Sequence, residues 1–249
     1  MKQIQIYRTA ETNPHRNLAV EQYLLENVQQ ETCILYLWQN RRTVVIGRNQ
    51  NALRECRTTQ LEADGGFLAR RLSGGGAVFH DLGNLNFTFL VNKEDYDLQR
   101  QLSVIVEACR AMGIPAECSG RNDVLSEGRK FSGNAFYEHR GKSYHHGTLL
   151  VDVDMENMSR YLCPSAAKLQ AKGVQSVRSR VVNLKELKPD LTIAEMARRM
   201  EEAFCKVYGL EAEHLDESGF DLGYIDALAE RNGSWEWLHG QNLPCTMAF

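Results

Sequence analysis

Strand-like runs dominate the first 155 residues and set the limits on the fold. Thr32–Trp38, Thr43–Ile46, Asn86–Val91 and Tyr144–Val153 alternate apolar and polar residues or are rich in β-branched and aromatic ones. Three other stretches repeat every three or four residues and predict helices. Asn17–Val28 puts Leu18, Leu25 and Val28 on one face. Asp97–Met112 carries Leu98, Leu102, Ile105, Cys109 and Met112, and Gly113 terminates it. Thr192–Tyr208 carries Ile193, Met196, Met200, Phe204 and Val207. Thr192 with Glu195 predicts a capping box, and Gly209 ends the helix. The connections Trp38–Thr43 and Glu138–Ser143 read as hairpin turns. With no regular strand–helix alternation, the pattern predicts an α/β fold of the α+β type. Its core is a mixed, largely antiparallel central sheet with flanking helices.

The chain of 249 residues is long enough to bury a full core. Its net charge of −3 lacks the basic surplus expected of a nucleic-acid binder. Seven scattered cysteines without a CxxC pair signal neither a disulfide framework nor a zinc knuckle, and fit reduced thiols in a cytoplasm. The opening residues lack an apolar signal-peptide core. No stretch reaches the roughly 20 apolar residues of a membrane span. Trp235-Glu-Trp237 followed by Gly240 reads as the start of a new element.

The chemistry concentrates in five segments. Arg70-Arg-Leu-Ser-Gly-Gly-Gly-Ala-Val-Phe-His80 contains three consecutive glycines, which cost conformational entropy in any regular element. They allow backbone N–H groups to approach an anion as a nest, with Arg70, Arg71 and His80 adding donors. The competing reading is a tight turn with surface arginines. Neither a Walker loop nor G-x-G-x-x-G is present. His80–Asn86 follows, rich in turn formers. Next come Gly120–Asp123 and Gly128–Asn134. Lys130, flanked there by turn residues, can reach into a site and neutralise a phosphate and an adjacent acyl group. Asp123 can take Mg²⁺ or serve as a turn cap. His145 and His146 are neighbours in a strand and point to opposite faces, so they do not chelate one metal. Finally, Lys168–Arg180 is a basic stretch able to close over an anion, or an ordinary solvated loop.

Together these segments resemble the lipoate–protein ligase A family. The resemblance rests on Arg70–Asn86, Gly120–Asp123, Arg129–Asn134, His145–Leu150 and Lys172–Asn183. It extends through Asn17-Leu-Ala-Val, Trp38, Thr43–Arg48 and Trp235-Glu-Trp237. It implies a fold like biotin ligases and class II synthetases. It also implies a two-step reaction: (R)-lipoate and Mg-ATP give lipoyl-AMP, and the lipoyl group then passes to a lysine. The acceptors implied are the E2 lipoyl domains of 2-oxoacid dehydrogenases or the glycine-cleavage H protein. By position, Lys130 matches the essential lysine. Arg71, Gly76, Ala77, Val78, Phe79, Asn122, Lys130 and Arg178 match ATP and adenylate contacts. Leu18, Trp38, Val45, Arg71, Ser73, Gly75, His80, Lys130, Gly133, His146 and Thr148 match the lipoate site, and Asp123 the Mg²⁺ side.

Family members commonly continue into a small accessory domain. The expectation is therefore a catalytic domain at 1–240 and the start of a truncated accessory domain at 241–249, with a separate accessory protein as a further partner. Two other readings compete. One is an octanoyl or lipoyl transferase that needs no ATP, for which Cys163 is the candidate thiol. The other is a non-catalytic lipoate-binding protein.

Overall fold

The computed structural model describes residues 1–120, 122–163 and 181–240. The basic stretch Lys168–Arg180 and residues 241–249 lie outside the described residues. In chain order the elements are β1 (Gln3–Arg8), α1 (Pro14–Asn27), β2 (Thr32–Trp38), β3 (Thr43–Ile46), α2 (Ala52–Glu55), α3 (Thr58–Ala63), β4 (Phe67–Arg70), β5 (Val78–His80), β6 (Asn84–Asn92), α4 (Leu98–Arg110), β7 (Glu117–Ser119), β8 (Asp123–Ser126), β9 (Arg129–His139), β10 (Lys142–Leu150), α5 (Met155–Tyr161), α6 (Leu184–Leu187), α7 (Ile193–Tyr208), β11 (Ala212–His214), α8 (Leu222–Gly233) and α9 (Trp235–His239).

Eight strands form one sheet in the order β11-β1-β2-β6-β10-β9-β8-β7. β1 is parallel to both neighbours, and the remaining pairs are antiparallel. A small sheet, β4-β3-β5, stands beside it. The expected Trp38–Thr43 hairpin does not form. β2 is buried along its whole length and both its edges are taken, by β1 and β6, so the chain leaves to begin the small sheet. The Glu138–Ser143 turn is a hairpin. Arg140 and Gly141, with φ of 49° and 73°, connect the paired residues His139 and Lys142.

Helices α4 and α7 cover one face of the large sheet, packing Ile105, Cys109, Met200 and Phe204 against Leu35, Phe87 and Phe89. α1 and α8 cover the other, with Leu18, Leu25, Ile225 and Leu228 against Tyr36, Trp38 and Tyr144. α1 begins earlier than its apolar period indicates. Asn13 caps it by accepting from His15 N, and Pro14 occupies the first turn. Only half of the predicted box at α7 forms. Thr192 accepts from Glu195 N, but Arg198 and Arg199 take the Glu195 carboxylate. Charged donors outcompete a neutral backbone N–H. A complete box closes instead at Asn183 and Glu186, before α6. Trp235-Glu-Trp237 becomes α9, docked on β4 through Trp237 Nε1 to Arg70 O at 3.0 Å. Among the described residues no helix is long and apolar enough to cross a membrane.

His145 is fully buried on the α4 side, with Nε2 2.8 Å from Asn134 Oδ1 and its ring against Phe87 and Phe89. Burial lowers its pKa to about 3, and that of His80 likewise. The unfolded chain protonates both near their ordinary value of 6.5 while the folded one does not. The unfolded state then binds more protons, so stability falls as pH drops below about 6.5. Urea unfolding at pH 7.5 and pH 5 should show this loss, and His145→Gln should lower proton uptake on unfolding at pH 5 by about one. Equal uptake in the variant would contradict the assignment.

Candidate active site

A cleft of about 280 Å³ opens between the small sheet and the β9–β10 hairpin. α1, β2 and β3 contribute Leu18, Trp38 and Val45, and the glycine loop contributes Gly75, Gly76, Ala77 and Val78 beside Arg71 and His80. The large sheet contributes Asn122, Asp123, Lys130, Gly133, His146 and Thr148. Fifteen of the eighteen residues expected from the sequence thus line one cavity. Phe79 does not: it packs against Tyr161 in an apolar cluster with Val44, Ile46 and Leu61. On a strand its neighbour Val78 faces the cleft, so Phe79 points away. Ser73 is wholly buried behind the wall and acts through partners. Arg178 lies outside the described residues.

Arg71 is 6% exposed. Nε donates to Ser73 Oγ at 2.9 Å, Nη1 to Val45 O at 3.2 Å, and Nη2 to Gly74 O at 2.7 Å and Gly76 O at 2.8 Å. Gly75, with φ of 93°, lets the chain fold its carbonyls around the guanidinium; a Cβ there would lie 2.9 Å from Nη2. The triple glycine therefore presents carbonyls to Arg71, where the sequence suggested N–H groups for an anion, and Arg71 becomes the donor toward the cleft. Burial pulls its pKa down to about 10, so it stays charged at neutral pH. Among the described residues no carboxylate contacts it. The buried Glu21 favours the charge from a distance, and an anionic ligand would supply a direct counter-ion.

Lys130 faces Arg71's cleft from the other sheet and pairs with Asp123 Oδ1 at 2.6 Å. A register shift against Val124 and Leu125 makes Phe131 an extra residue in β9. Such a bulge re-aims side chains. Lys130 consequently shares the cleft side with Gly133 and Ala135, while Phe131 enters the α4 core. At Gly133 a Cβ would sit 2.8 Å from Lys130 Nζ and 2.9 Å from Cε, so the absent side chain is the space the lysine uses.

Among the described residues, two buried donors in the wall have no protein partner, His80 Nε2 and Asn86 Nδ2. Asn40 Nδ2 lies 3.1 Å from His80 Nδ1, which assigns the proton of the neutral ring to Nε2. Burial, Arg71 and His146 together hold its pKa near 3. His146 bridges Ser73 Oγ and Glu21 Oε1, each at 2.8 Å. Ser73 Oγ also accepts from Arg71, so the hydroxyl ties the guanidinium to the His146–Glu21 pair. Glu21 is 1% exposed and also accepts from Thr88 Oγ1 at 2.7 Å. Sequence reasoning did not single out Glu21, Asn86 or Asn134, whereas Gly147, read from the sequence as allowing close backbone approach to a ligand, lines the cleft. Two asparagines in register within the apolar strand Asn84–Asn92 are a usable signal for Asn86. A lone glutamate on an apolar helix face carries none, because its partner is 125 residues away.

The sequence model of the lipoyl protein ligase A/B catalytic domain matches residues 13–205. The chain is 42% identical to the lipoate-protein ligase A of Bdellovibrio bacteriovorus over 250 residues, which cover 98% of this chain and 74% of that protein. Its fold superposes on P. falciparum LipL1 in complex with lipoate with a TM-score of 0.83 at 29% identity, covering 95% of this chain and 74% of that one. For a chain from the structural analysis of a bipartite lipoate protein ligase and its E2 lipoyl domain from Thermoplasma acidophilum, the TM-score is 0.81 at 25% identity, with full coverage of both chains. With two cations and an apolar wall in one cleft, and with this kinship, the chain belongs to the lipoate–protein ligase A family, enzymes of the ligase class.

Proposed function

We propose that this ligase joins lipoate to ATP as lipoyl-AMP and passes the lipoyl group to a lysine of a lipoyl domain or of the glycine-cleavage H protein. The observation that carries the proposal is the convergence of Arg71 and Lys130, from two different sheets, on a cleft otherwise walled by Leu18, Trp38, Val45 and Val78. An acyl-adenylate has that shape in charge: an apolar tail, then a carbonyl joined to an anionic phosphate. In the first step the lipoate carboxylate attacks the α-phosphorus and pyrophosphate leaves. In the second a neutral lysine amine attacks the carbonyl, the bond to phosphate oxygen breaks, and AMP departs. Lys130 neutralises charge that builds on both partners, and Arg71 binds the phosphate. His80 Nε2–H and Asn86 are free to donate to the ligand.

Asp123 offers a single, partly exposed carboxylate. Mg²⁺ keeps several waters and takes one or two carboxylates plus phosphate oxygens, so Asp123 suits an ion arriving with ATP. That ion would offset phosphate charge. The lipoate-bound LipL1 supports the acyl ligand, and the Thermoplasma ligase with its lipoyl domain supports the acceptor class. The proposal includes a catalytic unit at 1–240, assistance in activation from an accessory domain or separate protein, and a reducing cytoplasm that matches the free cysteines. Cys163, the thiol considered for a thioester route, bonds through its N–H to Glu55 O and is not among the residues lining the cleft.

Two assays separate the half-reactions: lipoate-dependent ATP–pyrophosphate exchange, and transfer from supplied lipoyl-AMP to a lipoyl domain. Lys130→Ala should cut both by about 10²–10³-fold while thermal unfolding stays cooperative. Retention of most of the transfer rate would remove Lys130 from the mechanism. Gly133→Ala should displace Lys130 and slow transfer by about ten-fold or more. An unchanged rate would contradict that spacing role.

A further inference from the structure

Arg70 is 1% exposed, adjoins Arg71, and is not among the residues lining the cleft. Its guanidinium is spent on backbone carbonyls of two distant segments. Nε donates to Trp237 O at 2.8 Å and Nη2 to Leu238 O at 2.6 Å, both in α9. Nη1 donates to Arg48 O and Gln50 O, each at 2.7 Å. Trp237 returns a bond from Nε1 to Arg70 O at 3.0 Å, and its ring carries the Arg48 and Arg231 guanidinium groups at 5.7 and 4.9 Å.

The 47–50 segment is also the backing of the glycine loop. Arg48 N donates to Ser73 O at 2.9 Å, and Arg71 N donates to Ile46 O at 3.1 Å. Gly47 lies so close to the loop that a Cβ would stand 2.3 Å from Gly75 O. A continuous set of bonds therefore runs from α9 through Arg70 and residues 47–50 to the loop that cages Arg71. α9 itself lies beyond the residues that the family's catalytic-domain model matches.

We propose that Arg70 and Trp237 are positioning residues for the cleft: the seating of α9 on Arg70 fixes the loop that aims Arg71. Withdrawing α9 leaves two donors of a buried guanidinium unpaired, a penalty that Arg70 relieves only by changing its grip on residues 47–50. Because coupling is reciprocal, a ligand that orders the Arg71 loop also holds α9 in place. The ligand part of this inference rests on the ligase reading; the mechanical part does not.

Hydrogen exchange on the full chain tests the mechanical part. Trp237→Ala should lower protection of the Arg48 and Arg71 amides by about ten-fold or more while β6 keeps its protection. Arg70→Lys, which keeps the charge and loses the fork, should give the same pattern. Trp235→Ala, on the same helix but 68% exposed, should behave as the parent chain. Unchanged protection around residues 47–50 and 71–76 would overturn the proposal, and so would a loss spread evenly over β6. Should Trp237→Ala fail to fold, Trp237→Phe removes the Nε1 bond while keeping a smaller aromatic ring for Arg48 and Arg231. A smaller shift confined to the same amides supports the proposal, and no shift overturns it. Lipoate titration forms the second arm. Trp237→Ala should weaken binding by about the same factor with kcat little changed. Equal affinity in the two proteins would overturn the coupling. Failure of the parent chain to bind lipoate would instead sink the ligase reading, leaving exchange to decide the coupling.

Discussion

A guanidinium carries five donors, and inside a protein each needs an acceptor. Arg70 ends β4 and Arg71 follows it, both are buried, and neither forms an ion pair with a carboxylate among the described residues. Their acceptors are carbonyls of chain segments that would otherwise have no reason to approach one another. Arg70 gathers the 47–50 turn and α9, and Arg71 gathers Val45 and the glycine loop. Removing either cation would leave several inward-facing carbonyls without donors. The three glycines make sense on this basis: they let carbonyls close on a charge that must stay available to a ligand.

Opposite the arginines, the large sheet supplies Lys130, and it does so through an irregularity. Without the bulge in β9, alternation would send Lys130 into the α4 core and Phe131 toward the cleft. Burial keeps two of the nearby histidines neutral. His80 and His145 are held far below their ordinary titration range, and His146 is fixed between Ser73 and Glu21. The site thus sets the cations Arg71 and Lys130 beside oriented, uncharged donors, His80 Nε2 and Asn86 Nδ2, which suits an anion whose charge shifts during reaction.

Much of this was legible in the sequence, for identifiable reasons. β2 and β3 run over the predicted residues because their apolar runs are unbroken. The mixed, mainly antiparallel sheet followed from the same runs. β7, β8 and β11 were not legible, since each has only three or four residues and, unlike β3, none is a run of β-branched ones. β9 was missed because its bulge and glycine interrupt alternation. The glycine loop, Lys130 and the Asn122–Asp123 pair stood out as polar groups beside turn residues, and the structure gathers them in one cleft. Glu21 and the direction of Arg70 were invisible, because each is defined by partners more than a hundred residues away.

The central claim is that Arg71 and Lys130 grip opposite sides of one acyl-adenylate. A crystal structure with a non-hydrolysable lipoyl-adenylate analogue tests it most directly. The account predicts the phosphate-equivalent group within hydrogen-bonding distance of both Arg71 and Lys130, with the acyl chain running past Leu18 and Trp38. An analogue bound with that group away from either cation, or outside the cleft, would contradict it.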